Sequence, residues 1–205
     1  MPEVKEKGDK FITTDEYEIK YFLDKSEYDK LCKMFATNKS ISFEQVNYYY
    51  DTHDKQLRDK NITARIRKKG DHIEATIKEH IPQRTHSKET AFGVEKVSDK
   101  IYYKGKTLYL QGELHTKRTE IKICDGLVLM LDHNKYLGMH DYELELEYDP
   151  SVKEQAIDTI DTLRSILQKD SAFPLSKPKS DRFFERLDSQ ADLSNNALNK
   201  NEFHT

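Results

Sequence analysis

Cysteine is scarce in this chain: two residues, Cys32 and Cys124, stand far apart and in no CxxC or Cys/His spacing. That excludes a cysteine-built zinc site and leaves two buried or idle thiols in a reducing cytosol. Long apolar runs are absent as well. No segment approaches the ~20 residues of a membrane span, and the opening MPEVKEKGDKF has no apolar stretch of the signal-peptide kind. The expectation is a soluble, cytoplasmic protein with no membrane partner. Nor does one sign of charge dominate. Lys+Arg number 34 against 37 Asp+Glu, a net charge of -3, which argues against a general binder of nucleic acid or acidic membranes and makes any basic site local. A Walker loop, a GxGxxG turn and a GxSxG elbow are all missing. His53, His72, His80, His86, His115, His133 and His140 are scattered without metal-ligand spacing, His133 beside Asp132 being the one that stands out.

What the chain has in quantity is charge, 35% of its residues, set at every second position of strand-like segments. Glu16, Glu18 and Lys20 alternate with Tyr17, Ile19 and Tyr21. Arg65 and Arg67 alternate in TARIRKK, Glu74, Thr76 and Lys78 in IEATIKE, and Glu143, Glu145 and Glu147 in YELELEY. In HTKRTEIK the charged face holds Thr116, Arg118 and Glu120, or the opposite one holds Lys117. Side chains at i, i+2 and i+4 of a strand share a face, so each strand carries one charged and one apolar face. Two arrangements satisfy this: charge toward water on an ordinary antiparallel sheet, or charge toward the inside of a barrel. Whole strand faces of one sign favour the second, because like charges so spaced repel unless a counter-ion lies between them.

At 205 residues there is room for one domain with a sizeable core. Residues 1–13 read as a loose polar lead-in, 14–187 as the domain, and 188–205 as an Asn-rich, disordered tail. A first strand spans Asp15 to Leu23; Asp24 or Ser26 then caps a helix running toward Asn38. FEQVNYYYDT reads as a strand, and Gly70-Asp71 turns a hairpin between TARIRKK and HIEATIKE. A loop from Pro82 leads into a short strand, HSKETAFG, and 97–110 reads as short helices. Strands follow at 114–124, 127–136 and 140–148, then an amphipathic helix at 153–168 with Ala156, Ile157, Ile160, Leu163, Ile166 and Leu167 on one side.

Glu16, Glu18, Asp132, Glu143 and Glu145 offer hard oxygen ligands for Mg²⁺ or Mn²⁺ from three strands, converging only if the sheet closes. Lys20, Arg65, Arg67, Lys78, Arg118, Lys179 and Arg182 suit a polyanion with several phosphates, arginine by its bidentate fork and lysine as a point charge. The plainer alternative makes both sets surface ion pairs. Tyr48, Tyr49 and Tyr50 either stack a base or pack a strand core. Cys32 falls among the apolar positions of a helix, which speaks against a cysteine nucleophile.

The ordered set of the Glu16/Glu18/Lys20 ExExK start, YYYDT, ARIRKK, ATIKE, KRTEI, LMLDH, YELELE and KPKSDRFFE resembles the CYTH superfamily, the triphosphate tunnel metalloenzymes, over about residues 14 to 187. The resemblance implies a mostly β fold: an eight-stranded antiparallel barrel forming a tunnel with helices outside. It further implies that Glu16 and Glu18, with Asp132, Glu143 and Glu145, hold the metal, while Lys20, Arg65, Arg67, Lys78, Arg118 and Lys179 hold a triphosphate, Glu16, Glu18 and Lys20 being the catalytic start. Glu145 and Glu147 are the alternative acidic pair, Lys177 or Arg182 the alternative C-terminal base, and Glu89 a possible further inward acid. The implied activity is metal-dependent hydrolysis of inorganic triphosphate or short polyphosphate. Cyclisation of ATP, a non-catalytic polyphosphate or nucleotide sensor, an RNA 5′-triphosphate partner, and either a monomer or a homodimer stay open beside it.

Overall fold

The computed structural model describes residues 12–36, 40–80 and 86–202. Nine strands and three helices follow in order: β1 (Ile12–Leu23), α1 (Lys25–Met34), β2 (Ser40–Asp51), β3 (Ile62–Lys69), β4 (His72–His80), β5 (His86–Gly93), β6 (Lys100–Tyr103), β7 (Lys106–Cys124), β8 (Leu127–Tyr136), β9 (Met139–Tyr148), α2 (Lys153–Ile166) and α3 (Lys179–Glu202). The lead-in read at 1–13 lies outside the described residues up to residue 11.

All strand pairs are antiparallel, in the order β2-β3-β4-β5-β1-β9-β8-β7, and β2 also pairs with β7. Eight strands therefore close into a barrel, which leaves no free edge around the ring. β6 adds to the outside of β7 as a ninth strand.

Local chemistry accounts for the connections. Gly70, Gly126 and Gly138 have φ of 59°, 75° and 75°, the left-handed backbone that two-residue hairpin turns require. A Cβ at Gly126 would also crowd the Asp149 side chain, with Asp149 Cβ 3.2 Å away. Of the two caps read for α1, Asp24 serves: its carboxylate accepts from Glu27 N at 2.8 Å while Glu27 Oε2 accepts from Asp24 N at 2.9 Å.

The apolar core lies outside the barrel. Leu127, Leu129, Leu131, Leu144 and Leu146 pack under α1 and α2 against Leu31, Ala156 and Leu163. A second cluster of Tyr50, Ala64, Ile66, Ala75 and Ile77 is covered by Ile101 and Leu108.

Three readings are corrected. The stretch 97–110 contains β6, a turn with Lys104 and Gly105 at φ of 45° and 78°, and the start of β7. It is a hairpin because Ile101 and Leu108, paired across it, cover the second cluster. Ile157 is 47% exposed, off the buried face of α2. The expected tail is helical through Glu202. Leu187 packs on Phe183 and Phe184, and Asp188 meets Lys55 at 3.0 Å and Arg58 at 3.2 Å. Among the described residues no helix is long and apolar enough to cross a membrane.

Candidate active site: a charged tunnel

The period-two pattern places charge inside. Ile66, Ile77, Leu144 and Leu146 are at most 3% exposed on the outer face, and their neighbours Arg65, Arg67, Lys78 and Glu145 line a cavity of about 270 Å³. Glu16, Glu18 and Lys20 of β1, Arg118 of β7 and Lys179 of α3 line it too. On β7 the inward choice is Arg118, and Lys117 is exposed. β1 changes partner halfway: Glu16 lies beside Ser87 of β5, whereas Glu18 and Lys20 lie opposite Glu147 and Glu145 of β9.

The C-terminal segment reaches the tunnel by running along β1. Phe22 N donates to Pro174 O at 2.9 Å and Ser176 N to Lys20 O at 3.1 Å, so α3 begins at the cavity wall. Phe183, four residues into the helix, packs its ring 5.0 Å from that of Tyr49. It also faces Gly112, where a Cβ would lie 2.8 Å from Phe183 Cζ. Thr63 Oγ1 donates to Ser180 Oγ at 3.0 Å.

Two acidic groups result. In the deep one, Asp132 and Glu143 are fully buried and Glu145 nearly so. Arg118 grips Asp132 with two bonds of 2.8 and 2.6 Å and reaches Glu145 at 2.5 Å. Lys179 touches all three acids, and Arg182 meets Glu143 at 3.0 Å. Burial opposes ionisation of Glu145, but Lys179, Arg118 and Lys20 outweigh it and hold the carboxyl well below its usual range. In the second group Lys78 contacts Glu16 at 2.5 Å and Glu18 at 3.2 Å, and Lys20 contacts Glu18 at 2.8 Å. Burial raises the Glu18 pKa, and the lysines overcome it, bringing it down to about 2. Glu147 is exposed at the rim of the tunnel, yet partial desolvation of its carboxyl, then Glu16 and Glu18, push it up to about 7, with Arg118 opposing them.

Two arginines have cationic capacity to spare. Arg67 bonds the Asn47 amide oxygen at 3.2 Å instead of a carboxylate, and burial, then Arg65 and Arg118, pull its pKa down to about 10. Arg65 meets Glu89 at a long 3.4 Å, and its Nε is buried without a partner. Buried cations so crowded favour an anion between them.

Not every residue singled out in the sequence reaches the cavity. Asp132 and Glu143 lie beneath its wall, and Arg182 stands behind Glu143 with its guanidinium 4.9 Å from the Phe22 ring. Lys177 pairs with Glu185 at the surface at 2.6 Å. Tyr49 points inward, while Tyr50 points out and donates to Ser98 O at 2.7 Å. His133 is outside the barrel, stacked on Tyr142 at 4.7 Å. Gln45, Asn47, His80 and Glu120 line the cavity without having been singled out as site residues. Their inward parity was readable from Tyr49, Lys78 and Arg118, two to four positions away on the same strands.

Three known proteins and one family model bear on this arrangement. A Bacillus subtilis protein named "Putative triphosphatase YjbK" is 30% identical over 148 residues, 64% of this chain and 76% of its own. A Bacillus halodurans crystal structure described as a "putative adenylate cyclase" is 26% identical, with a TM-score of 0.68 over 84% of this chain and 98% of that one. A Hippeastrum protein, described as a "putative adenylyl cyclase" that reveals a dominant triphosphatase activity, shares the fold at a TM-score of 0.64 and 16% identity over 80% of this chain and 93% of its own. The CYTH domain model matches residues 14–173, and with the closed, inwardly charged barrel this places the chain in the CYTH family.

Proposed function

We propose that the tunnel binds the triphosphate of a small molecule and hydrolyses it with a divalent metal, inorganic triphosphate or a short polyphosphate being the favoured substrate. The observation that carries this is the convergence of Lys20, Arg65, Arg67, Lys78, Arg118 and Lys179, from four strands and a helix, on one small cavity beside carboxylates. Its volume of about 270 Å³ falls just under the ~300–1,000 Å³ of pockets for drug-sized ligands. Size and polar lining both suit a compact inorganic anion better than a nucleotide.

Arg65 and Arg67, the cations least committed to acids, grip the phosphates first. Lys78 and Lys20 stand between the phosphates and Glu16 and Glu18, and neutralise charge that builds on the leaving oxygen. Glu16 and Glu18 orient the attacking water. Asp132, Glu143 and Glu145, with carboxylate oxygens within 4.8 Å of one another, have the donor chemistry for Mg²⁺ or Mn²⁺, and Glu16 and Glu18 supply further oxygens. A bound ion would neutralise phosphate charge and make its water more acidic. We place the protein in the cytoplasm, in keeping with its two free thiols, Cys32 and Cys124.

Product analysis tests the reading. Purified protein with Mg²⁺ or Mn²⁺ is incubated separately with inorganic triphosphate, thiamine triphosphate, ATP and RNA bearing a 5′-triphosphate. Fastest phosphate release from inorganic triphosphate is expected. Cyclic AMP with pyrophosphate from ATP would make it a cyclase, and binding without product a sensor.

A further inference from the structure

The deep acidic cluster already holds a cation of its own. Lys179 Nζ lies 2.9 Å from Asp132 Oδ2, 2.6 Å from Glu143 Oε2 and 2.6 Å from Glu145 Oε1. That is one acceptor for each N–H of the ammonium. The same three carboxylates present oxygens within 4.8 Å of one another, close to the ~4.2 Å that separates opposite ligands of a Mg²⁺ ion with bonds of ~2.1 Å. An ammonium and a small divalent ion therefore claim one position, and like charges cannot share it.

The neighbouring cations do not compete in this way. Arg118 bonds two of the acids, Asp132 through paired bonds and Glu145 through one, and Arg182 bonds Glu143 alone. Lys179 is different in two respects: it contacts all three acids at once, and it is the first residue of α3, on a flexible four-carbon stem beside the cavity that it lines together with Arg118. A rotation of that stem carries its charge from the acids to the open volume with no change in fold.

We propose that the Lys179 ammonium is a resident place-holder in the Asp132/Glu143/Glu145 cradle, and that a divalent ion displaces it into the cavity, where it becomes a phosphate ligand. The inference rests on the metal-dependent reading above and adds an order to it. Before metal binds, the charge of Lys179 is spent on three carboxylates. After metal binds, the acids are satisfied by the ion and the cavity gains a free cation. Metal loading thus comes before tight triphosphate binding.

The test uses the full chain free of metal. Lysine ammonium groups held in buried ion pairs give resolvable ¹H–¹⁵N signals, and that of Lys179 is assigned by its absence from K179R. Adding Mg²⁺ should shift or remove it with the midpoint that calorimetry gives for Mg²⁺ binding. K179M should bind Mg²⁺ at least about tenfold more tightly than the wild type, with no substrate present. A signal that stays in place while Mg²⁺ binds, or equal Mg²⁺ affinity in K179M, overturns the place-holder and leaves the triphosphatase reading standing. No Mg²⁺ binding by either protein overturns both. If K179M does not fold, the wild-type titration decides alone.

Discussion

Glu18 stands between Lys20 at 2.8 Å and Lys78 at 3.2 Å, so its carboxylate is fixed by charge and contributes little to packing. Glu18→Gln should leave the circular dichroism spectrum unchanged and lower metal-dependent turnover by about 100-fold or more; an unchanged rate would remove Glu18 from the machinery. Arg67→Ala removes a cation bonded to an amide oxygen rather than to a carboxylate, and should raise KM for triphosphate more than it lowers kcat. Steady-state kinetics at saturating metal checks the split.

Glu147 gives a pH signature of its own. Its carboxyl, pushed up to about 7, holds a proton longer in the folded than in the unfolded chain. That contribution to stability is complete below the ordinary carboxyl value of 4.5 and is lost as pH rises through about 7. Glu18, brought down to about 2, runs the other way: its contribution is present above 4.5 and lost as pH falls toward 2. Melting of the metal-free protein should therefore show the wild type losing ground to Glu147→Gln between about pH 5 and about pH 8. A constant gap would contradict the crowding of Glu147 by Glu16 and Glu18. At this scale the charged residues were legible because strand parity is strict: once Arg65 points in, Ile66 points out. The uncharged lining residues Gln45 and Asn47 carried no chemistry that drew attention, although they obey the same parity.

Among the elements, α3 links stability to the site. Its Phe183 is fully buried and fills the space over Gly112, where a methyl would meet the ring at 2.8 Å. Gly112→Ala should cost about 1–3 kcal/mol by overpacking. It should also weaken triphosphate binding, since Lys179 lies one helical turn before Phe183. Denaturant melts together with titration of tripolyphosphate check both effects. A stability loss with unaltered binding would separate the two roles of the helix. Strands with clean alternation were readable, and so was α1 from its capping residue. The β6–β7 hairpin was not, because its turn uses Lys104, a residue that seldom adopts a positive φ. The continuation of α3 past 188 was hidden by polar composition: its anchors are Asp188 to Lys55 and Arg58, partners more than a hundred positions away.

The whole molecule is organised with polar interior and apolar exterior inverted relative to an ordinary small barrel. Its cohesion comes from leucines between sheet and helices, and its interior is a set of opposed charges that cannot be stable without near balance. The family match ends at residue 173, yet Lys179 and Phe183 lie beyond it. A chain truncated after Lys177 should retain strand signal in circular dichroism and lose triphosphate binding. Retained affinity would show that the first turn of α3 is dispensable. Closure of the sheet was legible only as one of two options, because alternation fixes which side chains share a face and not whether that face looks at water.

The seam between β2 and β7 has a consequence for how the protein assembles. Ser40 pairs with Ile121 and Asp51 with Tyr109, and Glu18 of β1 pairs with Glu147 of β9 at still greater separation, contacts that no local hairpin can template, while β3–β4 and β8–β9 are joined by tight turns. Loop-closure entropy makes such distant pairing late and slow. The ring, and with it the cavity, is therefore expected to close only after the local hairpins have formed. Until then the inward charges face water, and the nascent chain is a set of solvated hairpins whose acids and bases have not yet met.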